Sequence, residues 1–283
     1  MRPIRPTSGS NPRALNRRGR LAGVEPVEIE SWDQFFPAIK DATNALGCDT
    51  VWYRGHIDAR YALIPTLFRM GLNTSASVHA EKNAFDVFDR RVQRLRGTGE
   101  ARRDWHVLVD MQHHGVPTRL LDWTSVLGIA VFFATARYST AQEAIGFAIY
   151  VLDPVGLNQT VGRAAIYSSE DGHFGYKSIY WDHRPFVPGG AIALDTPFVN
   201  DRVYAQQGLF TVHVDDRPLE QVRPDVIRKI VLHPSCVAGA REFLAHANLN
   251  DATVFPDMEG LVRYVRTQMY SLGAVAMNPA PRS

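Results

Sequence analysis

Residues 112–124 hold side chains of the chemical kinds that binding sites and active sites use. Amide, imidazole, guanidinium, carboxylate, aromatic and hydroxyl groups come from Gln112, His113, Thr118, Arg119, Asp122, Trp123 and Thr124. Because an apolar run follows directly, Asp122 or Thr124 is placed to cap a helix and to satisfy its free amides. A cap does not account for the other side chains, so we interpret the segment as a binding site. A structural polar network is the alternative.

Two further clusters carry groups that could bind a ligand. Arg54 and Gly55 follow a short apolar run, and an Arg followed by Gly can bring a planar five-donor fork and a close-approaching backbone to one phosphate or carboxylate. A structural Arg paired with a core carboxylate explains the same residues. Arg202 and Gln206 stand four positions apart before another apolar run, where a solvated turn is the alternative.

Several kinds of chemistry are disfavoured by the sequence. His113 and His114 are adjacent, so on a helix they point about 100° apart and do not suit one metal ion. The two cysteines, Cys48 and Cys236, show no pattern of a disulfide framework or a zinc site. A nucleophile elbow, a phosphate-binding loop, a dinucleotide-binding glycine motif and a His-Glu-x-x-His motif are all missing. We therefore predict no metal.

Composition and charge indicate a globular protein with a substantial core. The 283 residues are 45% hydrophobic, which fits one large domain or two small ones, and the net charge of +2 gives no overall field for nucleic acid. Residues 1–24 contain six arginines and no acid, which predicts a disordered basic tail, with a phosphate-binding arm as the alternative. No signal peptide and no apolar run of about 20 residues is visible. We predict no membrane partner and a cytoplasmic location.

The elements that must position these residues can be predicted from periodicity and caps. We expect a helix over residues 31–46 with a capping box, and a strand over 51–53 that places Arg54 at its carboxyl end. Helical spacing recurs over residues 85–95 and 105–115. Residues 124–137 are apolar on nearly every face, which predicts a central buried helix, and residues 147–152 form a strand.

The second half of the chain is predicted to be less regular. Residues 154–201 are rich in Gly, Pro, His and aromatic residues with weak periodicity, so we expect an irregular insertion that could cover a site. Strands are expected over residues 208–214, 229–232 and 253–255, and a serine-capped helix over 235–247. Asp257 is expected to cap a last helix. The fold class predicted is α+β, with a mixed sheet around the central buried helix.

Four separated motifs resemble the FRG domain, a family named for an aromatic-Arg-Gly signature. They are Trp52-Tyr53-Arg54-Gly55, Gln112-His113-x-Gly115-x-Pro117-Thr118-Arg119-Leu120-Leu121-Asp122-Trp123-Thr124, Arg202-x-x-x-Gln206-x-Gly208-x-Phe210 and Phe255-Pro256-Asp257-x-Glu259-Gly260-Leu261. His114 stands where the family often has an aromatic residue. The resemblance runs from about residue 31 to residue 266 and implies an FRG domain over residues 25–270, followed by a flexible tail over 271–283.

The motif order is similar to that of ADP-ribosyltransferases. Those enzymes have an Arg on the first strand, a Ser/Thr pair opening a helix with Ala and Phe on its inner face, and a Glu or Gln late in the sheet. The matching residues here are, in that order, Arg54; Thr124 and Ser125 with Ala130 and Phe133; and Gln206 or Gln207. The resemblance implies an ADP-ribosyltransferase-like fold with NAD as the substrate.

The same resemblance implies a role for each site residue. Arg54 would clamp the NAD pyrophosphate, Thr124 would hold the nicotinamide ribose, and Gln206, oriented by Arg202, would replace the usual Glu. A stacking partner for nicotinamide would be Trp123 or Tyr53, and the base that deprotonates the acceptor would be His113 or Asp122. The implied catalytic residues are Arg54, His113, Asp122, Thr124 and Gln206. The implied NAD-binding residues are Tyr53, Arg54, Gly55, Arg119, Trp123, Thr124 and Arg202.

The function implied is that of an NAD-dependent ADP-ribosyltransferase acting as a bacterial toxin or an antiphage effector. Its partners would be NAD, an unknown protein or nucleic-acid acceptor, and an antitoxin. Two alternatives stay open. One is a module that binds or processes nucleic acid, favoured by the arginine-rich tail, His113, His114 and Arg119. The other is a non-catalytic nucleotide-binding domain, favoured by Gln206 in place of Glu.

Overall fold

The computed structural model describes residues 24–96, 103–136, 138, 145–172, 174–184, 189–196 and 201–277. It shows an α+β fold with a mixed eight-stranded sheet. The basic tail predicted for residues 1–24 lies outside the described residues except for Val24. Among the described helices, none combines the length and the hydrophobicity that a membrane span requires.

Strands and helices alternate irregularly along the chain. The strands are β1 (Val27–Ile29), β2 (Trp52–His56), β3 (Leu120–Thr124), β4 (Phe147–Leu152), β5 (Tyr167–Ser168), β6 (Ile192–Asp195), β7 (Gly208–Val212) and β8 (Ile227–Leu232). The helices are α1 (Phe35–Leu46), α2 (Thr74–Arg96), α3 (Asp104–His113), α4 (Leu127–Thr135), α5 (Pro154–Gln159), α6 (Tyr176–Tyr180), α7 (Asp201–Ala205), α8 (Leu219–Val222), α9 (Val237–His246), α10 (Asp251–Val254) and α11 (Met258–Met277).

The sheet consists of two halves that meet between β2 and β3. Its strand order is β1-β8-β4-β2-β3-β7-β6-β5, with parallel pairs only at the two edges of the described sheet. β2 pairs with β4 along all five of its residues, and β3 pairs with β7 along all five of its own. Between the described residues of β2 and β3, the register joins one pair, Tyr53 and Thr124. The two strands therefore leave a gap beyond that pair.

Helix α4 is the central buried helix that the sequence predicted. Seven of its nine residues are buried, and it packs on β2 and on α9. Its predicted start at Thr124 is wrong, because Leu120–Thr124 forms β3 and a turn at Ser125 and Val126 precedes the helix. Residues 120–123 were not assigned to any element, because a strand of five residues gives too short a pattern, and Thr124 was assigned to the helix because it precedes the apolar run.

The segment 154–201 is not the irregular insertion that we predicted. It contributes strands β5 and β6 to one edge of the sheet and supplies side chains to a hydrophobic core under α2 and α3. These side chains are Tyr167, Phe174, Tyr176, Ile179, Tyr180, Ile192 and Leu194. Its elements span two to six residues each, which is too short to give a clear period in the sequence.

Caps and boundaries were predicted with mixed success. The capping box at Ser31 and Gln34 is confirmed, as is the cap of α11 by Asp257, whose Oδ1 accepts from the Gly260 amide at 2.7 Å. Residues 253–255 are not a strand, because Asn250 opens a capping box with Thr253 and starts helix α10.

Two other boundaries also differ from the sequence prediction. His233 caps the turn before α9 in place of Ser235, whose hydroxyl donates to the Glu30 carbonyl instead. α11 continues to Met277, so the predicted tail from residue 271 begins inside a helix.

Candidate functional site

A cavity of about 890 Å³ lies where β2 and β3 separate. Its walls come from both strands, from α3, α4 and α7, and from α10 and the start of α11. The structure brings nine predicted site residues to this cavity: Tyr53, Arg54, Gly55, His113, Asp122, Trp123, Thr124, Arg202 and Gln206. None of the described residues of the 154–201 segment lines it, so that segment does not cover the site.

Arg54 spans the gap between the two halves of the sheet. Its Nε donates to His56 Nε2 at 2.9 Å, and its Nη1 donates to the Asp122 main-chain carbonyl and lies 3.8 Å from Asp122 Oδ2. β2 continues to His56, so the prediction that Arg54 stands after the end of a strand is wrong. Burial lowers the pKa of Arg54, and the Asp122 carboxylate opposes that effect.

His56 is a site residue that the sequence interpretation did not select. Burial and the nearby Arg54 charge lower its pKa to about 3, so the imidazole is neutral at pH 7. A neutral ring accepts from Arg54 at Nε2 only if Nδ1 carries the proton, and Nδ1 lies 3.2 Å from the Tyr61 carbonyl that would accept it. Alternation along β2 was the available signal, since residues two apart share a face of a strand.

Asp122 presents a carboxylate to the cavity and is held by a chain of hydrogen bonds. Its Oδ2 accepts from Gln112 Nε2 at 2.9 Å, and Gln112 Oε1 accepts from the Thr118 hydroxyl at 2.6 Å. More than half of the Asp122 side chain is exposed. Because Asp122 lies in the middle of β3, the prediction that it could cap a helix is wrong.

Thr124 and Gln206 meet where β3 ends and β7 begins. The Thr124 hydroxyl donates to the Gln206 main-chain carbonyl at 2.7 Å and accepts from the Val126 amide at 3.0 Å. The Gln206 side chain donates from Nε2 to the Val254 carbonyl at 3.1 Å. We expected Arg202 to orient the Gln206 amide, but the Arg202 guanidinium instead stacks over the Phe255 ring, with its carbon 4.8 Å from the centroid.

Two predicted ligand-binding residues belong to the protein interior. The Trp123 side chain is buried and donates from Nε1 to the Thr211 hydroxyl at 3.0 Å, so it does not offer a free ring face. Arg119 lies away from the cavity. Its Nε donates to Glu81 Oε2 at 2.6 Å, and its guanidinium lies over the Tyr180 ring at 4.6 Å. For Arg119 this environment fits the structural polar network that was the alternative for residues 112–124, and not a ligand-binding role.

Gly55 faces helix α4 rather than a ligand. An added Cβ would overlap the Ala130 carbonyl oxygen and would lie 2.8 Å from the Ala134 amide nitrogen. The close approach that we predicted for this glycine therefore exists, but it is the approach of a helix backbone to a strand.

The comparison with known families bears on the β2 to α4 part of this site. Residues 49–143 match the family model of the FRG domain. The chain contains an FRG domain. The match includes Arg54, His113, Asp122 and Thr124, whereas Arg202 and Gln206 lie beyond it. No curated protein and no solved structure matches the chain significantly.

His113 gives the FRG domain a neutral imidazole beside the cavity. Burial, and then the charges of Arg202 and His114, lower its pKa below the ordinary value of 6.5. A neutral imidazole can accept a proton from a bound nucleophile. Among the described residues, no group of three or more His, Cys, Asp or Glu side chains is placed to hold a metal ion.

The cavity is also lined by charged groups that we did not predict as site residues. They are Arg69, Asp251, Asp257, Glu259, Arg263 and Arg266. Tyr61 is half exposed and provides an aromatic ring at the cavity, whereas the Trp123 ring is buried. Asp257 and Glu259 belong to the fourth of the motifs that resemble the FRG domain, but the sequence showed no pattern that connected the other residues with Arg54.

Proposed function

We propose that the FRG domain binds NAD in the cavity between β2 and β3 and transfers ADP-ribose from it to an acceptor. The supporting observation is that Arg54, Thr124 and Gln206 line one cavity although they lie far apart in the chain. These three positions are the ones that resemble the Arg, the Ser/Thr and the late Glu or Gln of ADP-ribosyltransferases. The proposal includes a fold related to those enzymes.

Arg54 is suited to hold the two phosphates of NAD. A guanidinium has five N–H donors, and His56 and the Asp122 carbonyl use two of them. The remaining donors and the fixed plane of the group suit a diphosphate. The Tyr61 ring, rather than Trp123, is available to stack on a base.

The transfer step needs positioning and electrostatics more than covalent help. The bond between the ribose carbon and the nicotinamide nitrogen breaks, its electron pair goes to the pyridinium ring, and neutral nicotinamide leaves. The acceptor nucleophile bonds to that carbon, and its proton goes to His113 or to Asp122. Gln206 binds ribose hydroxyls, while Thr124 holds the turn that positions Gln206.

Titration calorimetry with NAD, together with chromatographic detection of released nicotinamide, tests this proposal. We expect Arg54→Lys to keep the charge, to lose the planar fork, and to weaken NAD binding by about tenfold or more, with an unchanged melting temperature. Arg217→Lys is the matched control, because Arg217 pairs with Asp215 at 2.6 Å outside the cavity. If the folded wild-type chain does not bind NAD, the proposal is wrong.

The second candidate function is nucleotide binding without cleavage. It is favoured by the hydrogen bond from the Gln206 amide to the Val254 carbonyl, which holds a neutral group where the transferases use a carboxylate. Binding of NAD or ADP-ribose without release of nicotinamide would support it. A short RNA in the same assay tests the nucleic-acid alternative. The role as toxin or antiphage effector, and an antitoxin partner, stay predictions.

A further inference from the structure

The outward face of helix α11 carries a stripe of exposed apolar side chains. Met258, Val262, Val265 and Met269 are 72%, 43%, 46% and 66% exposed. Their spacings of four, three and four residues are those of one face of a coiled coil. At about 100° per residue the four side chains fall within a sector of about 60°. The stripe lies opposite Gly260, which is buried against the Phe255 carbonyl.

Residues 265–270 of α11 pack little against the rest of the protein. Every residue from Val265 to Tyr270 is exposed, and the helix contacts mainly α10. In proteins most of the stability of a helix comes from the packing of its apolar face on other elements. An apolar stripe on such a helix indicates a surface that packs on a partner.

We propose that α11 is a self-association surface, on which two copies of this chain pair through antiparallel α11 helices. The two-fold axis passes between Arg263 and Tyr264. Met258 then lies opposite the partner's Met269, and Val262 opposite the partner's Val265. Every apolar residue of the stripe thereby meets an apolar residue in the second copy.

The charges beside the stripe favour a second copy in this antiparallel orientation. Glu259 and Arg266 flank the stripe on the same side, and antiparallel pairing brings Glu259 next to the partner's Arg266 twice, by symmetry. In a parallel pair Arg266 would lie beside the partner's Leu261 instead. Within one chain Glu259 pairs with Arg263 at 3.7 Å, and this pair contributes little energy because Glu259 is exposed.

Pairing through α11 would also fix the position of a helix that forms one wall of the cavity. Arg263 and Thr267 line that cavity from the side of α11 that faces away from the stripe, and Glu259 and Arg266 line it from the flank. The paired stretch covers 12 residues, about 18 Å of helix, which is short for a permanent dimer. We therefore expect a reversible dimer whose population depends on concentration.

Sedimentation velocity and light scattering of the full chain test the self-association. The wild-type chain is expected to shift from monomer to dimer over the micromolar range, and Val265→Glu to remain monomeric. Tyr270→Glu is the matched control, since Tyr270 is exposed but lies outside the stripe, and it is expected to dimerise normally. Circular dichroism checks that each variant is folded. A wild-type chain that stays monomeric to about 100 µM, or a folded Val265→Glu that dimerises as before, would overturn the proposal.

Charge reversal tests the orientation separately. Glu259→Arg alone and Arg266→Glu alone are each expected to weaken dimerisation by about tenfold, because each places like charges together twice. The double variant Glu259→Arg/Arg266→Glu is expected to restore it. Failure of the double variant to recover relative to the two single variants would overturn the antiparallel pairing.

Discussion

At the scale of single residues, the site is defined by which polar groups are already engaged within the protein. The Thr124 hydroxyl uses its donor on the Gln206 carbonyl, and Asp122 is oriented by Gln112. At the cavity, the Arg54 guanidinium keeps donors and the exposed Asp122 carboxylate keeps acceptor sites for a ligand. A ligand that matches the site must therefore carry both acceptors and donors.

Gln206→Glu tests whether the neutral amide limits the proposed reaction. A carboxylate stabilises a cationic ribosyl transition state better than an amide, so we expect nicotinamide release to rise by about tenfold. Glu cannot donate to the Val254 carbonyl, so the free energy of unfolding should fall by about 1 kcal/mol. Nicotinamide release and urea denaturation on one preparation measure both effects. Gln207→Glu, next in the chain but not lining the cavity, is the control; equal rates in both variants would contradict the expectation.

The residue types of the site could be inferred from the sequence, but the direction in which each side chain points could not. The motifs brought Arg54, Asp122 and Gln206 to attention, and all three line the cavity. Arg119 and Trp123 come from the same motif as Asp122, yet one pairs with Glu81 and the other is buried on Thr211. Which neighbour a side chain meets depends on strand pairing across many residues, and no local pattern specifies it.

At the scale of elements, the packing of α4 on β2 depends on Gly55, a residue of β2 that has no Cβ. We expect Gly55→Ala to lower the free energy of unfolding by about 3 kcal/mol, because the methyl group would overlap the main chain at Ala130 and neither backbone can yield easily. Denaturant unfolding measures it, with Gly189→Ala in open space as the control, expected to change stability by less than about 0.5 kcal/mol. A stable Gly55→Ala that loses only NAD affinity would instead support direct approach of a ligand.

Long elements were predicted better than short ones. β4 was predicted to the residue, and α1 to its last residue, because their apolar patterns are strong and their ends are marked. β3 was not predicted, apart from Thr124, which was assigned to the helix, and residues 154–201 were predicted to be dominated by loops. Strands of two to five residues are stabilised by their neighbours in the sheet, and those neighbours are distant in sequence.

At the scale of the whole molecule, two buried histidines make the stability depend on pH. Burial lowers the pKa of His56 and of His213 to about 3, whereas the unfolded chain has a value of about 6.5. Between these values the unfolded state binds more protons, so the free energy of unfolding rises with pH. The stabilisation that comes from keeping the two histidines neutral is complete above about pH 6.5 and is lost as the pH falls towards 3.

Urea denaturation across about pH 4 to 6 measures this dependence. Each histidine should contribute a slope of about 1 kcal/mol per pH unit. A folded His213→Gln variant should lose that part of the slope. An unchanged slope in His213→Gln would show that His213 titrates alike in the folded and unfolded chain.

The single register pair between β2 and β3 has a thermodynamic consequence. The two halves of the sheet are joined there by one residue pair and by the bridge from Arg54 to the Asp122 carbonyl. A molecule that bound Arg54 and Asp122 together would connect the two halves of the sheet where β2 and β3 are not paired. Its binding free energy would then add to the cooperativity between the halves, so ligand concentration would govern whether they melt as one unit or as two.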